Sequence, residues 1–229
     1  MLILLSAGIA PGLALLSYFY LKDQYDEEPI ITVFKVFVFG AILTFPIMFL
    51  QYVIDAENIL QNSLLQSFIS IALSEEFFKW FLIYIAVYQL EEFDEPYDGI
   101  VYGASISLGF ATLENILYLL SNGLEYAFGR AIFPVSSHAL FGVIMGYYFG
   151  KAKFDKQNKK VKWLVYSFAI PFVLHGLYDY ILVGFKKWVY VLIPFMLFLW
   201  WFALKKVKHA HMATHQHHIQ KYEKKRNLS

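Results

Sequence analysis

The sequence contains no cysteine among its 229 residues, which removes disulfide frameworks, thiolate nucleophiles and thiolate metal ligands together. Charge is scarce as well. Asp, Glu, Lys and Arg make up 16% of the chain, and the formal net charge of +1 says nothing as a total, only its distribution being informative; so apolar a composition excludes a nucleic-acid binder and a disordered chain. What fills the space is apolar: 59% hydrophobic residues, 20% aromatic, and a mean hydropathy of +0.50. The charges are crowded into short clusters between apolar stretches of about 20 residues, the length that crosses ~30 Å of hydrocarbon at ~1.5 Å per residue. The solvent expected for this chain is a lipid bilayer.

Apolar spans fall at 2–21, 31–54, 64–88, 99–120, 131–150, 163–183 and 188–204. The expected fold is all-α, a polytopic membrane helix bundle of about seven transmembrane helices. A spanning segment must satisfy its own backbone hydrogen bonds, and the alternating segments of a barrel are missing. The loop 151–162 holds six lysines and the stretch from Lys205 carries seven more basic residues, so both belong in the cytoplasm. Counting back places the N-terminus outside and the C-terminus in the cytoplasm, with fifteen Lys/Arg inside against Arg130, Lys186 and Lys187 outside. The first span has no basic segment before it and is not read as a signal peptide. A membrane domain over 1–204 is thus expected to be followed by a flexible, basic, His-rich cytoplasmic tail over 205–229. Its His209, His211, His215, His217 and His218 are only a compositional hint of metal binding.

The informative residues are ionisable groups where lipid should be: Glu75, Glu76 and Lys79 in the third span, Glu114 in the fourth, His138 in the fifth, His175 and Asp179 in the sixth. Each costs several kcal/mol unless it faces the bundle interior with a partner. Counted from the outer end of each span at ~1.5 Å per residue, Glu75 and Glu76 lie about 16 to 18 Å deep and Glu114, His138 and His175 about 9 to 12 Å. Separate helices deliver these groups to one layer. Asp179 shares a helix face with His175, and Lys79 is within reach of both glutamates. Asn115 reads equally as glue between helices.

Small residues recur every four positions in His138, Gly142, Gly146, Gly150 and in Gly99, Gly103, Ser107, Ala111. Such stripes let helices approach closely, which turns His138 towards protein. Pro134 and Pro171, each four residues before a histidine, are expected to loosen the local helix.

Three glutamates and one lysine sum to a formal charge of −2 at bilayer depth, an imbalance that something must neutralise. The options are a divalent cation, protonated glutamates or protonated histidines. A His/Glu set with an open position suits zinc, which makes bound water nucleophilic. A metal-free alternative uses a glutamate as general base with a histidine on the oxyanion. The His-Glu-x-x-His signature is absent.

The segments Glu75-Glu76-Phe77-Phe78-Lys79, Phe110-Ala111-Thr112-Leu113-Glu114-Asn115, His138 with Gly142, and His175-Gly176-Leu177-Tyr178-Asp179 resemble those of the PrsW family of bacterial intramembrane proteases. So do Ser6-Ala7-Gly8-Ile9-Ala10-Pro11-Gly12 and the stretch from Tyr97 to Ala104. The likeness covers nearly the whole chain apart from the His-rich tail, and is more distant to the CAAX prenyl endopeptidases. It implies an endopeptidase of the bacterial cell membrane that makes the first, extracytoplasmic cut in a single-span anti-sigma factor during envelope or antimicrobial-peptide stress. Glu75, Glu76, Glu114, His138 and His175 are the expected catalytic set, with Glu76, His138 and His175 as ligands if a metal such as zinc is used. Lys79, Asn115 and Asp179 are expected behind them. A proton- or ion-coupled carrier and a non-catalytic stress sensor are the rival readings, and the missing internal repeat weighs against the carrier.

Overall fold

The computed structural model describes residues 1–226 and is helical almost throughout, with no strand among the described residues. Helix α1 spans Leu2–Tyr20 and α2 spans Ile30–Ala56. Helix α3 runs over residues 63–87 as alternating α-helical and π-helical turns. Then come α4 (Asp98–Asn122), α5 (Leu124–Lys153), α6 (Lys160–Gly184) and α7 (Trp188–Arg226).

Six of these, α3 excepted, are long and apolar enough to cross a membrane. The expected seventh span is present as a helix in the expected place. It differs from the others because Glu75, Glu76 and Lys79 sit in its centre, all three buried.

α4 and α5 form the axis of the bundle. In their most apolar stretches 78% and 83% of residues are buried, against 17% to 33% in the four other apolar helices. The outer helices turn large apolar side chains outwards, among them Phe34, Phe45, Phe49, Val161, Tyr190 and Leu197. A coat of this kind is stable only in lipid.

The small-residue stripes explain the axis. A Cβ on Gly146 would lie 1.8 Å from the carbonyl oxygen of Gly99, and one on Gly103 would lie 2.3 Å from that of Gly142. The two backbones touch, as expected where small residues replace the driving force that water would supply. Gly40 and Gly109 do the same between α2 and α4, where a Cβ would meet the oxygens of Ile106 and Phe37 at 2.0 and 1.9 Å.

Residues 205–226 are not a flexible tail, and the last three residues of the expected 205–229 tail lie outside the described residues. α7 continues unbroken for 39 residues, about 58 Å at 1.5 Å per residue, and its second half packs on the loops. Tyr97 N–H donates to Thr214 Oγ1 at 3.1 Å, His211 stacks on Tyr97 at 4.4 Å between ring centres, and His218 stacks on Tyr25 at 4.5 Å. His218 also contacts Glu95, while Lys221 pairs with Asp94 at 3.2 Å. These contacts order the segment, and composition alone does not report them. No potential metal-binding group among the described residues includes a histidine of this segment.

Candidate active site

Local backbone irregularity precedes two of the site-bearing segments. The π-helical turns Gln66–Leu73 lead directly into Ser74, Glu75 and Glu76. A second π stretch, Ala131–Val135, contains Pro134 and leads into His138. Proline lacks the N–H of a regular ladder, and π turns widen the helix and re-aim the side chains that follow. Pro171 does not have this effect, since α6 remains α-helical from Lys160 to Gly184.

Glu76 is the hub. It is fully buried, and its Oε1 accepts from Lys79 Nζ at 2.9 Å and lies 2.9 Å from His175 Nδ1. Its Oε2 is buried without a partner. Lys79 Nζ also donates to Glu75 Oε2 at 3.2 Å, approaches His138 Nδ1 at 3.3 Å, and sits 4.1 Å from the centre of the Phe110 ring. With the ammonium donating to Nδ1, the ring proton of His138 belongs on Nε2, which faces Glu114 Oε2 at 3.4 Å.

Both imidazoles follow one pattern. His175 turns Nδ1 inwards to Glu76 and Nε2 outwards to Asp179 Oδ2 at 3.3 Å; His138 turns Nδ1 inwards and Nε2 to Glu114. A carboxylate oxygen thus stands within ion-pair range of each outer nitrogen, the placement found behind metal-binding histidines, while the inner nitrogens meet Lys79 Nζ at His138 and Glu76 Oε1 at His175. One donor atom each from Glu75, Glu76, His138 and His175 lies within 4.8 Å of the others, and all four residues are buried. Two nitrogens, two carboxylates and a partnerless Glu76 oxygen therefore fit a divalent cation. Glu114 backs His138 and is not one of these four.

All eight residues singled out from the sequence fall in one connected network. Asn115 belongs to its rim: its Nδ2 donates to the carbonyl of Gly8 at 3.0 Å, and its Oδ1 accepts from Arg130 Nε at 2.8 Å. Arg130 was legible only as an external charge. It pairs with Glu114 at 3.3 Å and lies 4.1 Å from the centre of the Tyr118 ring. Nothing in the sequence signals this, because charges flanking a span are normally solvated. Gln51 was also missed, although an amide inside an apolar span is a readable signal; its Nε2 donates to Glu75 Oε1 at 3.2 Å and lies 3.4 Å from Ser74 Oγ. With Arg130 counted, four carboxylates face two cations, and neutral imidazoles leave a formal charge of −2.

Two imidazoles with carboxylates near their outer nitrogens, beside a buried glutamate pair, are a donor set suited to hydrolysis, and the apolar outer helices suit a membrane. A membrane-embedded hydrolase is the class this fold and site define. The model described as PrsW family intramembrane metalloprotease matches residues 28–204, and the chain belongs to that family. It is 59% identical over 210 residues to Protease PrsW of Bacillus subtilis (strain 168), covering 92% of this chain and 96% of the relative. It is 61% identical over 207 residues to Protease PrsW of Geobacillus kaustophilus (strain HTA426), covering 90% and 92%. At 34% identity over 196 residues it also matches Protease PrsW of Clostridioides difficile (strain 630), covering 82% of each chain. No solved structure matches. The chain is thus a multi-pass membrane peptidase, and the carrier and non-catalytic readings lose their ground.

Proposed function

We propose that this peptidase makes the first, extracytoplasmic-side cut in a single-span, membrane-anchored anti-sigma factor, and so starts release of an envelope-stress sigma factor at the bacterial cell membrane. In this reading all seven helices span, with the N-terminus outside and the C-terminus in the cytoplasm. Support for the orientation comes from the lysine-rich loop and the polar half of α7, which pack together at one end of the bundle. Glu114 is about 24 Å along α4 from Asp98, at ~1.5 Å per residue, near the N-terminal segment that Asn115 touches at Gly8. The choice of substrate rests on the family likeness.

The observation that carries the reading is the convergence of donor atoms from Glu75, Glu76, His138 and His175 within 4.8 Å in the buried interior of the bundle. Glu76, His138 and His175 would hold a divalent cation such as zinc, whose charge matches the formal −2 of the site. When bound, it supplies Lewis acidity to water and to the scissile carbonyl. Glu75 Oε2 takes the proton of the attacking water and hands it to the departing amine nitrogen. Gln51 and Lys79 hold Glu75 from opposite sides, while Glu114 and Asp179 keep the two rings oriented. Close packing of α4 on α5 keeps bulk water from the inner face of the site.

The test is co-expression with a tagged anti-sigma substrate. Glu76→Gln at equal abundance should stop cleavage; undiminished cleavage would contradict the assignment. Purified protein should contain stoichiometric divalent metal, and a chelator should stop cleavage in detergent.

A further inference from the structure

At the lysine-bearing end of the bundle, far from the Glu/His centre, α5, α6 and α7 enclose two adjoining hollows of about 390 and 320 Å³. They share Pro96, Lys151, Ala213 and Gln216. Lys151 Nζ lies 3.9 Å from the centre of the Trp163 ring and 5.6 Å from that of Tyr147. Lys206 Nζ donates to the Tyr148 hydroxyl at 3.0 Å and lies 5.0 Å from the Tyr147 ring. His209 lines the second hollow.

The two lysine ammoniums are like charges, and burial with the lysines around it holds the His209 imidazole below its ordinary pKa. Lys206 lies in the field of Lys151 and Lys205, and His209 in that of Lys151, Lys205, Lys206 and Lys208. The one carboxylate lining the hollows, Asp155, is already engaged: Oδ1 accepts from Trp163 Nε1 at 3.2 Å and Oδ2 from Lys159 N–H at 2.5 Å. Among the described residues neither Lys151 nor Lys206 has an ion-pair partner. Like charges gathered round a hollow repel unless an anion is shared between them.

The place of the hollows selects the anion. They open where three apolar helices give way to lysine, with Tyr147 and Met212 on the wall and exposed Trp201 and Leu204 just below on α7. Aromatic rings mark the headgroup level of a bilayer, and basic pockets between spans at that level hold anionic headgroups. We propose that this cleft binds the phosphate headgroup of an anionic phospholipid, held by Lys151 and His209 on its wall with Lys206 beside Tyr147 at its edge. The proposal requires only that α5, α6 and α7 cross a bilayer, not that any named residue cleaves.

Native mass spectrometry of the full chain in neutral detergent, titrated with equal amounts of dioleoylphosphatidylglycerol and dioleoylphosphatidylcholine, tests it. The wild type should retain phosphatidylglycerol selectively, and equal retention of the two lipids would overturn the proposal. The double variant Lys151→Gln with Lys206→Gln should bind phosphatidylglycerol about thirtyfold more weakly. Lys186→Gln with Lys187→Gln at the other end should bind as the wild type does. Charge-preserving Lys151→Arg with Lys206→Arg should keep selectivity, and its loss would sink the electrostatic account. Displacement of the lipid by millimolar inorganic phosphate would reassign the cleft to a free anion and refute the lipid.

Discussion

His138 and His175, carried on α5 and α6, meet edge to face with ring centres 5.0 Å apart. Each turns Nδ1 towards the buried Glu76–Lys79 pair and Nε2 to a different carboxylate. Neither helix positions the pair alone. The 5.0 Å stacking of His175 on Phe141, one turn along α5 from His138, locks one ring against the other's helix.

The outer carboxylates should therefore act through the rings. Asp179→Asn and Glu114→Gln should each lower metal affinity and cleavage about 10- to 100-fold without removing a ligand, whereas His175→Ala should abolish both. Metal content after dialysis against graded chelator, alongside cleavage rate, separates the two classes. An Asp179→Asn protein with wild-type metal retention would end the backing role.

Arg130 neutralises Glu114 and holds Asn115. Arg130→Ala leaves that carboxylate without its cation, at a cost of about 1 to 3 kcal/mol because Glu114 keeps 31% of its side chain exposed and the pair is not fully desolvated. Thermal unfolding in detergent should show a lowered midpoint, with Arg130→Lys recovering only part of it because an ammonium cannot span both partners.

The helix axis predicts a sharp contrast between glycines. Gly146→Ala places a methyl 1.8 Å from a backbone oxygen that has no way to rotate aside, and should cost about 1 to 3 kcal/mol by overpacking. Gly129→Ala has nothing within 4 Å and should be neutral or slightly stabilising. Equal unfolding midpoints for the two would show that α4 and α5 do not pack as described.

A pH dependence follows from the loop between α1 and α2. Burial pushes the Glu28 carboxyl up to about 7 from an ordinary 4.5, and burial with the nearby Glu95 charge pushes Asp23 up to about 6 from 3.8. Both groups bind their proton more tightly folded than unfolded, so their contribution is complete below about pH 4 and lost as pH rises through 6 and 7. The unfolding midpoint should fall between pH 5 and 8 in the wild type. It should fall less in Glu28→Gln, which keeps an acceptor for the Tyr102 hydroxyl.

Much of the molecule was readable before any fold was known. The positions of the apolar helices and the small-residue faces along which two of them pack follow from hydrophobic length and four-residue spacing, which are local properties of the chain. The burial of Glu75, Glu76, His138 and His175 was legible for the same reason, since a charge inside an apolar run must have a buried partner. Arg130 and the ordered end of α7 were not legible. Each depends on a partner far along the chain: Glu114 and Asn115 for the one, Tyr25 and Tyr97 for the other.

The sequence by itself determined a helical membrane bundle and the residue types of its chemistry, because the cost of polar groups in hydrocarbon is paid residue by residue. Only the tertiary structure decided which nitrogen of each histidine faces inwards, that Lys79 lies between Glu75, Glu76 and His138, and that Arg130 closes the rim. Those are relations between helices, fixed by how closely glycine lets the backbones approach and by where π turns rotate the side chains that follow.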